Sequence, residues 1–192
     1  MKLSERVKLY SQKFPNYPKL IYNKNFILGT WMIGNYYKNK TNYYGAYPHS
    51  YLERIMSLFP DKKQVLHLFS GSLSSLDFPE SYLLFDINKK VNPNVVGNAE
   101  NLSNYFAKNS FNLILADPPY SSEDAEHYGT PLVNRNKVVK ECVRVLKRNG
   151  FLIWLDQVFP MYRKMELKLV GTIGLIRSTN HRVRMVFIYK RI

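Results

Sequence analysis

Cysteine is almost missing from this chain: Cys142 stands alone, which excludes an intrachain disulfide, a paired-cysteine zinc site and a redox pair, and fits a reducing cytoplasm. Acids are scarce too. Fourteen Asp and Glu face 28 Lys and Arg, for a formal net charge of +14. Such an excess favours polyanionic partners, because each neutralised phosphate releases condensed counterions, although a lysine-rich solvated surface gives the same count. No apolar run is long enough to span a bilayer, and Met1 to Lys8 alternates charged with apolar residues in place of a signal-peptide core. The expectation is a soluble cytoplasmic protein with no membrane partner. His49, His67, His127 and His181 share no metal-ligand spacing, so no metal is expected. Nothing in the sequence speaks to oligomeric state.

What is present is a regular pattern over most of the length. With 192 residues, 45% of them hydrophobic, the chain suits one domain with a sizeable core. Residues 1–44, rich in Lys, Asn and Tyr and broken by Pro15, Pro18 and Gly34, read as a basic N-terminal extension with one apolar island at Phe26 to Ile33. Residues 45–192 read as the main domain. Tyr51, Leu52, Ile55, Met56 and Phe59 recur at helical spacing before Pro60. Four short apolar runs follow, at Val65–Phe69, Tyr82–Phe85, Asn112–Ala116 and Phe151–Leu155, as in strands buried on both faces of a parallel sheet. A helix bearing Val138, Val139, Cys142, Val143 and Leu146 joins the last two and is expected to end at Asn149-Gly150, with the glycine in a left-handed cap. Residues 168–176 and 183–189 predict a terminal hairpin. The fold class is therefore α/β, a doubly wound sheet, mostly parallel with a C-terminal antiparallel hairpin. Between Gly71 and Tyr82 there is little room for a crossover helix and between Asp86 and Val95 none, so its helices are reduced.

Three strand ends carry candidate chemistry. Phe69-Ser70-Gly71-Ser72 is a small-residue turn at a sheet's carboxyl edge, where α/β folds place ligands, and where any tight turn needs small residues. Asp86, fifteen positions after Gly71, ends the next strand; with Ile87 beside it, it can accept both hydroxyls of a ribose, or it can serve as an ordinary turn aspartate before Asn88 and Pro93. Asn98, with Ala99, follows a third short apolar segment and can face an adenine edge. The fourth strand delivers Asp117-Pro118-Pro119-Tyr120. Two prolines fix this backbone and remove two donors, leaving carbonyls free to accept. An aromatic amine is a poor nucleophile because its lone pair is conjugated into the ring. Asp117 and the Pro118 carbonyl can hold the amine hydrogens while the nitrogen becomes tetrahedral, Tyr120 can stack on an unstacked base, and a sulfonium methyl in line can then transfer.

In order and wording these segments resemble the SAM-dependent amino-methyltransferases of nucleic acids that carry an Asp-Pro-Pro-Tyr loop, of the DNA adenine-N6 type, over about residues 43 to 192. The resemblance implies a class I SAM-methyltransferase (Rossmann-like) fold and SAM as cofactor. Tyr44 to Pro48, with Tyr47 and Pro48, is similar to the segment that cradles the methionine part of SAM, and Phe69, Ser70, Gly71 and Ser72 to the family's Phe-x-Gly-x-Gly turn. Asp86 stands at the place of its ribose-binding acid, and Asp117 to Tyr120 match its catalytic loop. Arg144 to Gly150 resembles its Arg-Val-Leu-Lys-Pro-Gly-Gly helix exit. His67 and Leu73 depart from the usual Asp and Gly.

The implied reaction is methylation of adenine N6 in DNA with short or relaxed sequence specificity, since no recognition insert follows either motif. An RNA methyltransferase acting on a guanine amine or an adenine is the enzyme alternative, and His67 and Leu73 motivate a catalytically silent nucleic-acid-binding subunit. Lys38, Lys40, Arg135, Arg177, His181 and Arg182 are the candidate nucleic-acid contacts, with Arg184 on the same possible phosphate track. The polar segment from Ser121 to Arg135 is either a flap over the target base or a connector.

Overall fold

The apolar runs become the middle of a nine-stranded sheet in the computed structural model, which describes residues 1–34, 47, 48, 50–178 and 183–192. In chain order the elements are α1 (Leu3–Lys13), β1 (Ile21–Asn23), β2 (Phe26–Ile33), α2 (Tyr51–Leu58), β3 (Val65–Leu68), β4 (Tyr82–Asp86), β5 (Val95–Val96), β6 (Phe111–Ala116), α3 (Ser122–His127), α4 (Arg135–Val145), β7 (Leu146–Asp156), β8 (Leu167–Arg177) and β9 (Val183–Arg191). The sheet order is β1-β2-β8-β9-β7-β6-β3-β4-β5. Strands β3 to β7 are mutually parallel, β9 is antiparallel to both β7 and β8, and short 3-10 turns at Ser75–Asp77 and Lys89–Val91 stand where crossover helices would be. Mostly parallel sheet, antiparallel C-terminal strands and few helices are the architecture expected.

The core follows from the two-residue repeat of a strand. Val65, Leu113, Leu115, Phe151, Ile153, Val186 and Ile188 pack on one face with α1 and α2. Their neighbours Leu66, Leu68, Ile114, Leu152, Trp154 and Phe187 pack on the other with α4 and the turn at Ala99–Asn104. The N-terminal residues are more than an appendage in space. Strand β2 pairs in parallel with β8, and Val7, Tyr10, Phe14, Ile27 and Trp31 belong to the first core. Arg6 secures α1: its guanidinium donates to Asp61 at 2.6 and 2.9 Å and to the Leu58 carbonyl at 2.9 Å, between the rings of Phe59 and Phe151.

One boundary differs from the sequence reading. Helix α4 ends at Val145, and Leu146 already starts β7. Asn149, not Gly150, takes the left-handed conformation, at φ 60°. Gly150 is needed for close approach instead, since a Cβ there would lie 2.8 Å from the Lys147 carbonyl oxygen and 3.0 Å from that of Asn112. Among the described residues no helix is long and apolar enough to cross a membrane.

Candidate active site

The chain runs outward from β3 through β4 to β5 on one side, then returns to β6 and β7 on the other, so the order reverses between β3 and β6. Such a switch point opens a crevice at the carboxyl ends of the strands. Here it is a cavity of about 330 Å³, within the range of small-ligand sites. Phe69 and Gly71 after β3, Asp86 and Ile87 after β4, and Asn98 and Ala99 after β5 line it. All four residues of the Asp117–Tyr120 loop line it too.

The Phe69–Ser72 turn is built by backbone conformation. Phe69 and Gly71 both have positive φ, 58° and 53°, which reverses the chain twice within three residues. Asp86 then ties the turn to the neighbouring strand: Oδ2 accepts from the Gly71 N–H and Oδ1 from the Asn88 N–H, each at 2.9 Å. Each oxygen keeps a lone pair for a ligand hydroxyl. Asn98 caps the following turn, its Oδ1 accepting from the Glu100 N–H at 2.8 Å, which directs its amide NH₂ elsewhere. Tyr47 stacks on Tyr51 at 5.1 Å between ring centroids. Neither Tyr47 nor Pro48, Ser70 or Ser72 is part of the cavity lining, and the Ser70 hydroxyl is buried without a hydrogen-bond partner.

On the opposite wall the Tyr120 hydroxyl donates to Asp117 Oδ1. Burial pushes the Asp117 carboxyl up to about 7, against the opposing pull of Arg184 and of the Tyr120 hydrogen bond. The Arg184 guanidinium lies 4.5 Å above the Tyr120 ring, so one face of that ring is covered and only the other can receive a base. The Pro118 carbonyl accepts no hydrogen bond among the described residues. Those of Pro119 and Tyr120 do: Arg135 Nη2 donates to them at 3.3 and 2.8 Å.

Arg135, expected on a phosphate track, is thus an internal strut. Its Nε donates to Asp156 Oδ2 at 2.7 Å and its Nη2 to Oδ1 at 3.3 Å. Asp156 is fully buried at the end of β7 and also accepts from Trp154 Nε1 and from the N–H groups of Gln157 and Val158. Sequence reasoning missed Asp156, although an acid closing an apolar strand was the signal that singled out Asp86. Arg177 does line the cavity, while Lys38, Lys40, His181 and Arg182 lie outside the described residues.

The segment after the loop is partly ordered as α3, capped by Ser121, whose Oγ accepts from the Asp124 N–H at 3.2 Å. Asp124, Tyr128, Thr130, Pro131 and Val133 complete the cavity wall. His67 is wholly buried, with no hydrogen-bond partner on either ring nitrogen among the described residues, and packs 4.8 Å from the Phe78 ring; burial lowers its pKa to about 4. Among the described residues no group of His, Cys, Asp or Glu is placed to hold a metal.

No family model matches the chain, and neither does any curated protein. Solved structures do. TrmN from Thermus thermophilus superposes with a TM-score of 0.57 at 13% identity over 77% of this chain and 50% of that one. This fold is that of the class I SAM-dependent methyltransferases. A SAM-dependent methyltransferase from Methanosarcina mazei gives a TM-score of 0.46 at 15% identity, over 67% of this chain and 92% of the other. This chain spans half the length of the Thermus protein.

Proposed function

We propose that this protein transfers a methyl group from SAM to the exocyclic amine of a nucleic-acid base, with adenine N6 in DNA as the first candidate. One observation carries the reading: the Asp117–Tyr120 corner and the Gly71–Asp86 turn line one cavity. The residues fit the cofactor. Asp86 offers carboxylate lone pairs, and Gly71, left-handed and without a side chain, leaves room beside it. SAM would supply an electrophilic methyl on a positive sulfur, which needs no metal.

The chain's own residues then do the following. The open face of Tyr120 receives the unstacked base. The Pro118 carbonyl and Asp117 Oδ2, the oxygen that Tyr120 leaves open, accept the two amine hydrogens and turn the nitrogen lone pair out of conjugation. As the nitrogen–methyl bond forms and the carbon–sulfur bond breaks, Asp117 is the first acceptor for the proton that nitrogen gives up. A carboxyl held near pH 7 suits that task, being able to take a proton and pass it to solvent.

The test is transfer of labelled methyl to DNA and to RNA, followed by nucleoside mass spectrometry. N6-methyldeoxyadenosine supports the first candidate. A methylated ribonucleoside moves the substrate to RNA. No transfer, with calorimetry finding no SAM binding but intact nucleic-acid binding, would make the protein a silent binding subunit.

A further inference from the structure

Arg184 carries a charge that no acid among the described residues pairs by a hydrogen bond or ion pair, although Asp117 feels its pull. Arg184 is only 7% exposed, its Nε has no hydrogen-bond partner, and its guanidinium forms no hydrogen bond or ion pair among the described residues. A buried cation with no anion in direct contact is costly, so a site of this kind suits a negatively charged ligand. Arg184 lines the cavity, and its contact with the Tyr120 ring fixes where such a ligand must lie.

The strand order says which ligand. Arg184 is the second residue of β9, opposite Leu175 of β8, while Gly71 follows β3 and Asp86 ends β4. Between β9 and β3 come β7 and β6, a separation of about 14 Å at ordinary strand spacing, with Asp117 at the end of β6 in between. The anion is therefore on the far side of the acceptor carboxyl from the ribose-type turn, which is the side from which a base must enter. Of the acids on this side, Asp117 takes the Tyr120 hydroxyl while feeling the pull of Arg184, Asp156 takes Arg135, and Asp124 lines the same cavity, as does Arg177 at the end of β8. A planar guanidinium suits two oxygens of a phosphate.

We propose that Arg184 receives a phosphate adjoining the target nucleotide, so that the substrate is a polynucleotide recognised through its backbone and a free base or nucleoside is not accepted. This rests on the nucleic-acid reading above. The full-length protein, Arg184→Gln and Arg184→Lys are titrated, with S-adenosylhomocysteine present, against oligothymidylates carrying one central adenine, with guanine and cytosine in parallel series. Matched strands replace the phosphate on either side of that base with neutral methylphosphonate. Wild type should bind one of the two neutralised strands about tenfold more weakly than the parent, the worth of one charge-assisted contact. Arg184→Gln should bind all strands alike, and Arg184→Lys should recover part of the discrimination. Losses from the variant and from the methylphosphonate that simply add would overturn the assignment. So would a Gln variant that binds SAM more weakly in calorimetry yet still discriminates, which would give the guanidinium to the cofactor carboxylate. These affinities need no turnover: if they come out as expected while no nucleoside is methylated, the proposed reaction fails and the phosphate site stands.

Discussion

Replacing Asp156 by Asn changes neither volume nor shape, yet it should unfold the protein several degrees earlier and disorder the Asp117–Tyr120 corner. Three donors converge on Oδ1, from Gln157, Val158 and Arg135, and two on Oδ2, from Arg135 and Trp154. Whichever way the new amide is turned, its NH₂ meets at least two donors. The Arg135 side chain, 14% exposed, then keeps its charge with no counter-charge beside it. Breaking a buried pair from one side costs about 3–5 kcal/mol, and a chain of this size loses about 2–4 °C per kcal/mol, so Tm should fall by about 6–20 °C. Because the same guanidinium holds the Pro119 and Tyr120 carbonyls, methyl transfer at a permissive temperature should fall more than SAM affinity does. Arg135→Met should behave similarly, and the double variant should lose clearly less than the sum of the two. Calorimetric melting with a transfer assay reads both effects. An Asp156→Asn protein that melts within about 2 °C of wild type, below the cost of one kcal/mol, would refute the strut.

Asp117→Ala should abolish transfer with SAM affinity nearly unchanged in calorimetry, since it removes an acceptor for the amine and no cofactor contact. Transfer by the intact protein should rise with pH through about 7, as Asp117 ionises. Its effect on stability runs the other way: between 3.8 and about 7 the folded protein keeps a proton that the unfolded chain has released, so this group's contribution declines over that window, as denaturant melts at stepped pH would show. His67→Leu should raise stability by about 1–3 kcal/mol, because two buried nitrogens lose an unmet need for partners. The wild-type histidine binds protons only once unfolded between about 4 and 6.5, so the variant should also lose less stability than wild type on acidification through that range. Gly97→Ala should destabilise and disturb the cavity, since its Cβ would fall 2.5 Å from Tyr105 Cζ and 2.7 Å from Phe85 Cζ; a melt and a SAM titration test it.

Strands whose side chains are apolar on both faces announced themselves, and with them the positions of Gly71, Asp86 and Asp117, because a site at strand ends inherits its order from the strands. The roles given to those residues remain for the assays above. What escaped the sequence was whatever depends on pairing across distance. Phe26 to Ile33 looked like an island because its partner, β8, lies more than 140 residues away. Arg135 and Arg184 look alike as letters, and only the structure pairs one with the buried Asp156 and sets the other over the Tyr120 ring. Asn149 took the turn assigned to Gly150 because asparagine tolerates the left-handed region, while the glycine was needed for its missing side chain.

The pairing of β2 with β8 also governs when the protein can finish folding. Ile27 must find Gly171 and Trp31 must find Leu175, contacts that each close a loop of 144 positions. A ribosome emits Trp31 long before its partner strand, so the edge of β2 that pairs with β8 stays open until Gly171 to Arg177 emerge. Synthesis of this molecule therefore carries an interval of stickiness that is relieved only once β8 has emerged.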